Sequence, residues 1–105
     1  MDTGFAELGR FSEPALLVLV SLASGDKHGY AIMQDAEALG GKLGPGTLYA
    51  TLPRLEGRGW IEALPADARR RPYRLTSAGA TALRAQLASM AQLATAGLQR
   101  LEASA

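Results

Sequence analysis

Cysteine is absent from this chain of 105 residues, which excludes disulfides, thiolate metal sites and cysteine nucleophiles. With no oxidised thiol to maintain, a reducing cytosol is permitted. Histidine is almost as scarce. The single copy, His28, cannot assemble a metal site or a nucleophile–base pair and reads as structural. Long apolar runs are missing too. The longest, from Ala15 to Val20, has six residues, against roughly twenty needed to span a bilayer. Residues 1–10 carry Asp2 and Glu7 and lack the basic start of a secretory leader. No clustered acid–base pair, phosphate loop or metal constellation is legible, so an enzyme fares poorly. Asp35, Glu37 and the sparse serines read as helix-face and capping residues. The expectation is a soluble, cytoplasmic protein without a cofactor.

Net charge is also nearly absent, at +1, but its distribution is uneven. Residues 1–41 sum to −4, residues 42–84 to +5 and residues 85–105 to zero. A phosphate backbone responds to local rather than total charge. One small domain is the natural reading of this length. Roughly two-thirds of the unfolded surface can be buried at this size, and such domains often gain stability by dimerising.

Residues 1–11 lack a clear period and read as a loose arm, with Phe5, Leu8 and Phe11 as its candidate anchors. Ser12 is expected to cap a first helix reaching Ala23, with Glu13 and Pro14 in its first turn. That helix is apolar nearly all round, which suits the centre of a core. Ser24 to Lys27 is turn chemistry. A second helix, about His28 to Leu39, places Ile32, Ala36 and Leu39 on one stripe, and Gly40-Gly41 ends it. A short strand at Lys42-Leu43 is possible but illegible.

The third helix, about Pro45 to Arg58, turns Leu48, Leu52 and Leu55 toward the core. Thr47, Ala50, Thr51, Arg54 and Arg58 are assigned to its open face, and Tyr49, beside the apolar stripe, could send its hydroxyl to a phosphate. Small and hydroxylated residues with interspersed arginine suit a groove, although a plain solvated face would look similar. Pro53 lies mid-helix on the exposed side and is expected to kink or split it, at about 3 kcal/mol. A strand from Trp60 to Leu64, the run Arg69-Arg70-Arg71, and a strand from Pro72 to Leu75 follow. Arginines at a hairpin tip, directly after such a helix, can clamp phosphates or enter a minor groove. The pattern is a mainly α (α+β) winged helix–turn–helix with a two-stranded wing. The candidate DNA contacts are Thr47, Tyr49, Ala50, Thr51, Arg54, Arg58, Arg69, Arg70 and Arg71.

Several ordered motifs then resemble the PadR family of bacterial transcriptional regulators. They are His28-Gly29-Tyr30, the run Pro45-Gly46-Thr47-Leu48-Tyr49, Leu55-Glu56 with Gly59, Arg71, Tyr73-Arg74-Leu75-Thr76, and Gly79. Together they span about residues 12–80. The resemblance implies a homodimeric, repressor-like protein on a pseudo-palindromic double-stranded DNA operator, often released by a small molecule. A single long last helix is similar to that of the smaller members. Pro53 and Trp60 depart from the family pattern, where a polar helix former and an aliphatic residue are usual.

Thr76 should cap that last helix. Along it Ala80, Leu83, Leu87, Met90, Ala94, Leu98 and Leu101 repeat at intervals of three and four, an a/d-like stripe of about three heptads. So little charge accompanies it that the surface wants covering, by its own first helix, by a partner's copy, or by both. The expected interface is Leu83, Leu87, Met90, Ala94, Leu98 and Leu101. Phe11, Trp60 and Met90 are candidate effector contacts by chemistry, although a tryptophan such as Trp60 is more often a core filler than a ligand platform. The expected division is an arm over 1–11, a winged helix over 12–76, and a dimerisation helix over 77–105. The rival readings are a winged-helix module using its basic wing on an acidic protein, and a metabolite-binding protein whose DNA role is secondary.

Overall fold

The computed structural model describes residues 3–104; Met1, Asp2 and Ala105, at the ends of the expected arm and last helix, lie outside them. A short 3-10 helix, Ala6–Phe11, leads into α1, Ser12–Ala23. Then come β1 (Lys27–His28), α2 (Gly29–Ala38), α3 (Pro45–Gly57), β2 (Ile61–Ala63), β3 (Pro72–Leu75) and α4 (Ser77–Ala103). Helices dominate, and a small antiparallel sheet flanks them, as expected of a winged helix–turn–helix.

The core follows from the apolar spacing. Ala15, Val18, Leu19 and Leu22 of α1 are buried against Ile32 and Ala36 of α2 and Leu48, Leu52 and Leu55 of α3. Burying each large aliphatic side chain contributes about 1.5–3 kcal/mol, which holds the three helices as one layer. Leu39, expected on the α2 stripe, is instead exposed, because α2 ends at Ala38 before the stripe reaches it. Ser12 does not cap α1; Phe11 precedes the helix and no side chain caps it. Thr76 does cap α4, its hydroxyl accepting from the Gly79 amide at 3.0 Å.

Two corrections concern chain that looked irregular. The first eleven residues are not a loose arm throughout. Phe5 and Leu8 are buried, and the Phe5 ring lies 5.0 Å from that of Trp60. Thr3 donates to Gln86 on α4, and Arg58 donates to the Gly4 carbonyl. The second is the sheet, which has three strands in the order β1-β3-β2. Lys27 and His28 pair with Tyr73 and Pro72, on the side of β3 opposite Ile61, Glu62 and Ala63. Lys42 and Leu43 form no strand; Leu43 is a core residue.

Gly79 locks the wing to α4. A Cβ there would lie 2.0 Å from the Trp60 carbonyl oxygen, which accepts the Thr76 amide at 3.0 Å. Beyond Leu83 no residue of α4 is buried, and the helix runs out of the domain. The radius of gyration is accordingly 15.2 Å, against roughly 13 Å for a compact chain of this length.

Candidate nucleic-acid interface

Helix α3 divides its residues sharply. Leu48, Thr51, Leu52 and Leu55 are buried, whereas Thr47, Tyr49, Pro53 and Arg54 are exposed and Ala50 is half-buried. Thr51 therefore does not belong to the open face. It falls within the buried arc three residues after Leu48, where its hydroxyl is satisfied by donating to the Thr47 carbonyl at 2.6 Å. The helix continues through Pro53 rather than splitting. The proline lies on the solvent side, where water can satisfy the carbonyl deprived of its partner.

The arginines separate by their partners. Arg58 lies 3.6 Å from Glu7, donates to Gly4 and packs 5.2 Å from the Trp60 ring centroid. It ties the N-terminal segment to the end of α3, and its assignment to the open face is corrected. Arg74 pairs with both Asp26 and Glu62. By contrast, Arg54, Arg69, Arg70 and Arg71 have no carboxylate within ion-pair distance among the described residues. Arg54 donates to the Ala50 carbonyl and stacks 3.8 Å from the centroid of the Phe11 ring.

The wing is a tight hairpin. Asp67 and Arg70 exchange both backbone bonds around Ala68-Arg69, and Ala68 adopts φ 56°. This turn projects three consecutive arginines from one short loop. Arg71 donates to the Leu64 carbonyl at 3.0 Å, and Arg70 to His28 Nε2 at 3.2 Å. Arg69 is exposed at the tip. A cleft of about 270 Å³ joins this wing to the helices, lined by His28, Tyr49, Arg69, Arg70, Arg71 and Tyr73, among others. Gly29 permits that closeness, since a Cβ there would sit 2.9 Å from the Tyr49 hydroxyl. Burial, assisted by the Glu56 carboxylate and opposed by Arg71, raises the Tyr73 phenol above its ordinary pKa, so at neutral pH it remains a neutral hydroxyl. The sequence pattern did not reveal His28 as a wing contact, because that contact depends on β1.

The remaining candidates disperse. Phe11 lies beneath Arg54 and faces α3, Trp60 is buried against Phe5, and Met90 is exposed on α4. Among the described residues, no cavity is lined by any two of the three. That three-residue effector site is corrected. Leu83 is 5% exposed and belongs to the chain's own core, so it is not free for a partner. Leu87, Met90, Ala94, Leu98 and Leu101 are exposed, as is Leu93, which the a/d spacing passes over.

A core of three helices with a hairpin wing and an arginine-bearing open face defines the winged-helix class of regulator. The chain belongs to the PadR-like family of transcriptional regulators, whose profile matches residues 18–85. The transcriptional regulator Rv3488 of Mycobacterium tuberculosis is 39% identical over 82 residues, covering 75% of this chain and 77% of its own. An uncharacterized 37.1 kDa protein in transposon TN4556 of Streptomyces fradiae is 44% identical over 85 residues. That match covers 80% of this chain, which spans only a quarter of that relative's length. A transcriptional regulator from Clostridium thermocellum superposes with a TM-score of 0.69 at 25% identity, covering 82% of this chain and 89% of that one. A PadR family regulator from Clostridium difficile shares the fold, at TM-score 0.75 and 24% identity over 83% of this chain and 96% of its own. The family and these named regulators are transcription factors rather than enzymes. Among the described residues, no helix is long and apolar enough to cross a membrane.

Proposed function

We propose that this regulator binds double-stranded DNA in the cytoplasm as a homodimer, with α3 in the major groove and the wing on the adjacent backbone. The observation that carries the reading is the sorting of the arginines. Arg58 and Arg74, which tie parts of the domain together, have carboxylates, whereas Arg54, Arg69, Arg70 and Arg71, gathered beside the open face, have none among the described residues. Unmatched guanidinium groups around an exposed helix face suit phosphates, and Thr47, Tyr49 and Ala50 supply small and hydroxyl groups for base edges. The overhanging α4, with Leu87, Met90, Ala94, Leu98 and Leu101 exposed, suits a two-fold seam. A dimer would set two reading helices about one DNA turn apart on a pseudo-palindromic operator.

Repression released by a small molecule completes the proposal. An apolar hollow of about 590 Å³ opens where α4 leaves the domain, lined by Ala23, Leu75, Leu83, Leu87, Ala88 and Ala91, among others. It adjoins the seam, so a bound apolar ligand would alter the angle between the two reading helices. The test is selection of genomic fragments by the purified protein at near-physiological salt. Recovery of one pseudo-palindromic motif is expected. Recovery of only random, salt-sensitive fragments would overturn the sequence-specific reading and favour an acidic protein partner.

A further inference from the structure

The first third of the chain is acidic as a whole, yet the fold brings its single arginine to the open face of α3. Arg10 lies in the last turn of the 3-10 helix, is exposed, and has no carboxylate within ion-pair distance among the described residues. Glu7, in the first turn of that segment and beyond the kink at Gly9, is engaged by Arg58. The Arg10 guanidinium carbon lies 5.0 Å from the Phe11 ring centroid, and that of Arg54 lies 3.8 Å from the same centroid. Two cations thus share one aromatic ring. Such stacking satisfies the flat faces of guanidinium groups while leaving N–H edges available as donors, beyond the one by which Arg54 donates to the Ala50 carbonyl. The ring also limits their rotamer freedom, so less entropy remains to be lost on binding.

A cleft of about 360 Å³ separates Arg10 and its ring from the reading helix. Its walls are Arg10 and Phe11 on one side and Gly46, Thr47 and Ala50 on the other. The wing arginines, by contrast, gather in the cleft with Tyr49, His28 and Tyr73. No residue is common to the two sets. Thr47 in the first projects about 200° around α3 from Tyr49 in the second, on either side of the buried arc of Leu48, Thr51, Leu52 and Leu55. The two basic clusters therefore lie at different edges of the α3 face. A helix lying in a major groove has a phosphate strand on each side.

We infer that Arg10 and Arg54, carried on Phe11, form a second phosphodiester clamp for double-stranded DNA, at the edge of α3 away from the wing. This rests on the DNA-binding reading above and extends it to a residue outside the family profile's match over residues 18–85. The clamp reads no base. Its role is to hold α3 in register while Thr47 and Ala50 approach the groove floor.

The probe is a fluorescein-labelled, mixed-sequence DNA duplex, titrated by anisotropy over a series of salt concentrations. The variants are Arg10→Ala, Arg10→Lys, and the wing pair Arg69→Ala/Arg70→Ala, each checked for an unchanged melting temperature. Loss of one phosphate contact lowers the slope of log K against log salt by about 0.9. Arg10→Ala is expected to show that loss with several-fold weaker binding, and Arg10→Lys to recover most of the slope. An unchanged slope for Arg10→Ala, with a flattened one for the wing pair, overturns the clamp and leaves the DNA reading standing. If neither variant changes binding, both readings fall. A loss in Arg10→Ala that leaves the slope intact also overturns the clamp, because phosphate neutralisation must appear in the salt dependence.

Discussion

The α3–wing edge and the outer half of α4 are both left unsatisfied by the fold, but in opposite currencies. The first presents Arg10, Arg54, Arg69, Arg70 and Arg71 without carboxylates among the described residues. The second presents Leu87, Met90, Leu93, Leu98 and Leu101, from 40% to 76% exposed, with little charge between them. Unmatched positive charge acts over about 8 Å at physiological salt, tolerates imperfect fit, and weakens as salt rises. Exposed apolar area acts only in contact and is insensitive to moderate salt. The same small core therefore carries a long-range surface for a polyanion and a short-range surface for a close-fitting helix. Salt is the variable that separates them.

The largest effect is expected at the joint between the two regions. Gly79→Ala would drive a methyl group into the Trp60 carbonyl, 2.0 Å away, and the neighbour is backbone that cannot rotate aside. Destabilisation of about 3 kcal/mol or more is expected, at the upper end of overpacking costs, measured by urea unfolding. A loss below about 1 kcal/mol would mean that wing and helix are not rigidly joined.

Next comes the apolar surface. Leu87→Asp with Leu98→Asp places two charges on the proposed seam of each copy, and two-fold symmetry doubles their number in one interface. The dimer dissociation constant should rise at least about 100-fold, or about 2.8 kcal/mol, by sedimentation velocity. Monomer stability should barely change, because both positions are exposed. A variant that remained fully dimeric would move the seam elsewhere. The charged surface should respond less. Arg69→Ala with Arg70→Ala should weaken DNA binding roughly tenfold near physiological salt and lower the salt slope by about 1.8. Dimerisation should be unaffected, so the two sets of variants should not share a phenotype.

The parts of this division that were legible in the sequence are those governed by local spacing. Leu48, Leu52 and Leu55 occupy the buried side of α3, Thr76 caps α4, and the strand Pro72–Leu75 has the expected limits. What stayed hidden depends on contacts distant in sequence. Strand β1 has two residues and exists only because β3 pairs with it, and no period can be read in two residues. Phe5 finds Trp60 across the whole winged domain. Thr51 misled by chemistry: a hydroxyl suggests an exposed face, but back-bonding to Thr47 lets it be buried. Arg58 misled in the same way, since its partners Glu7 and Gly4 lie in the segment read as a loose arm. Arg10 was masked by counting charge along the chain, where it is surrounded by acidic residues, rather than in space.

The smallest effect is the most informative about where the two copies would meet. Gly97, like Gly79, lies within α4, but a Cβ there would meet nothing within 4 Å in the single chain. Glycine in a helix interior costs roughly 0.5–1 kcal/mol relative to alanine through backbone entropy. Gly97→Ala should therefore stabilise the isolated fold by that amount and raise the melting temperature by roughly 3–6 °C. Gly97 also sits between Ala94 and Leu98, on the margin of the proposed seam. Small residues there would let paired helices approach closely, and a methyl group would hold them apart. If the gain in thermal stability is the same at low and high protein concentration, Gly97 faces solvent in the dimer and the seam runs through Leu98 and Leu101. If the gain shrinks or reverses as concentration rises, the copies cross at Gly97, and the angle between their reading helices is set by that crossing.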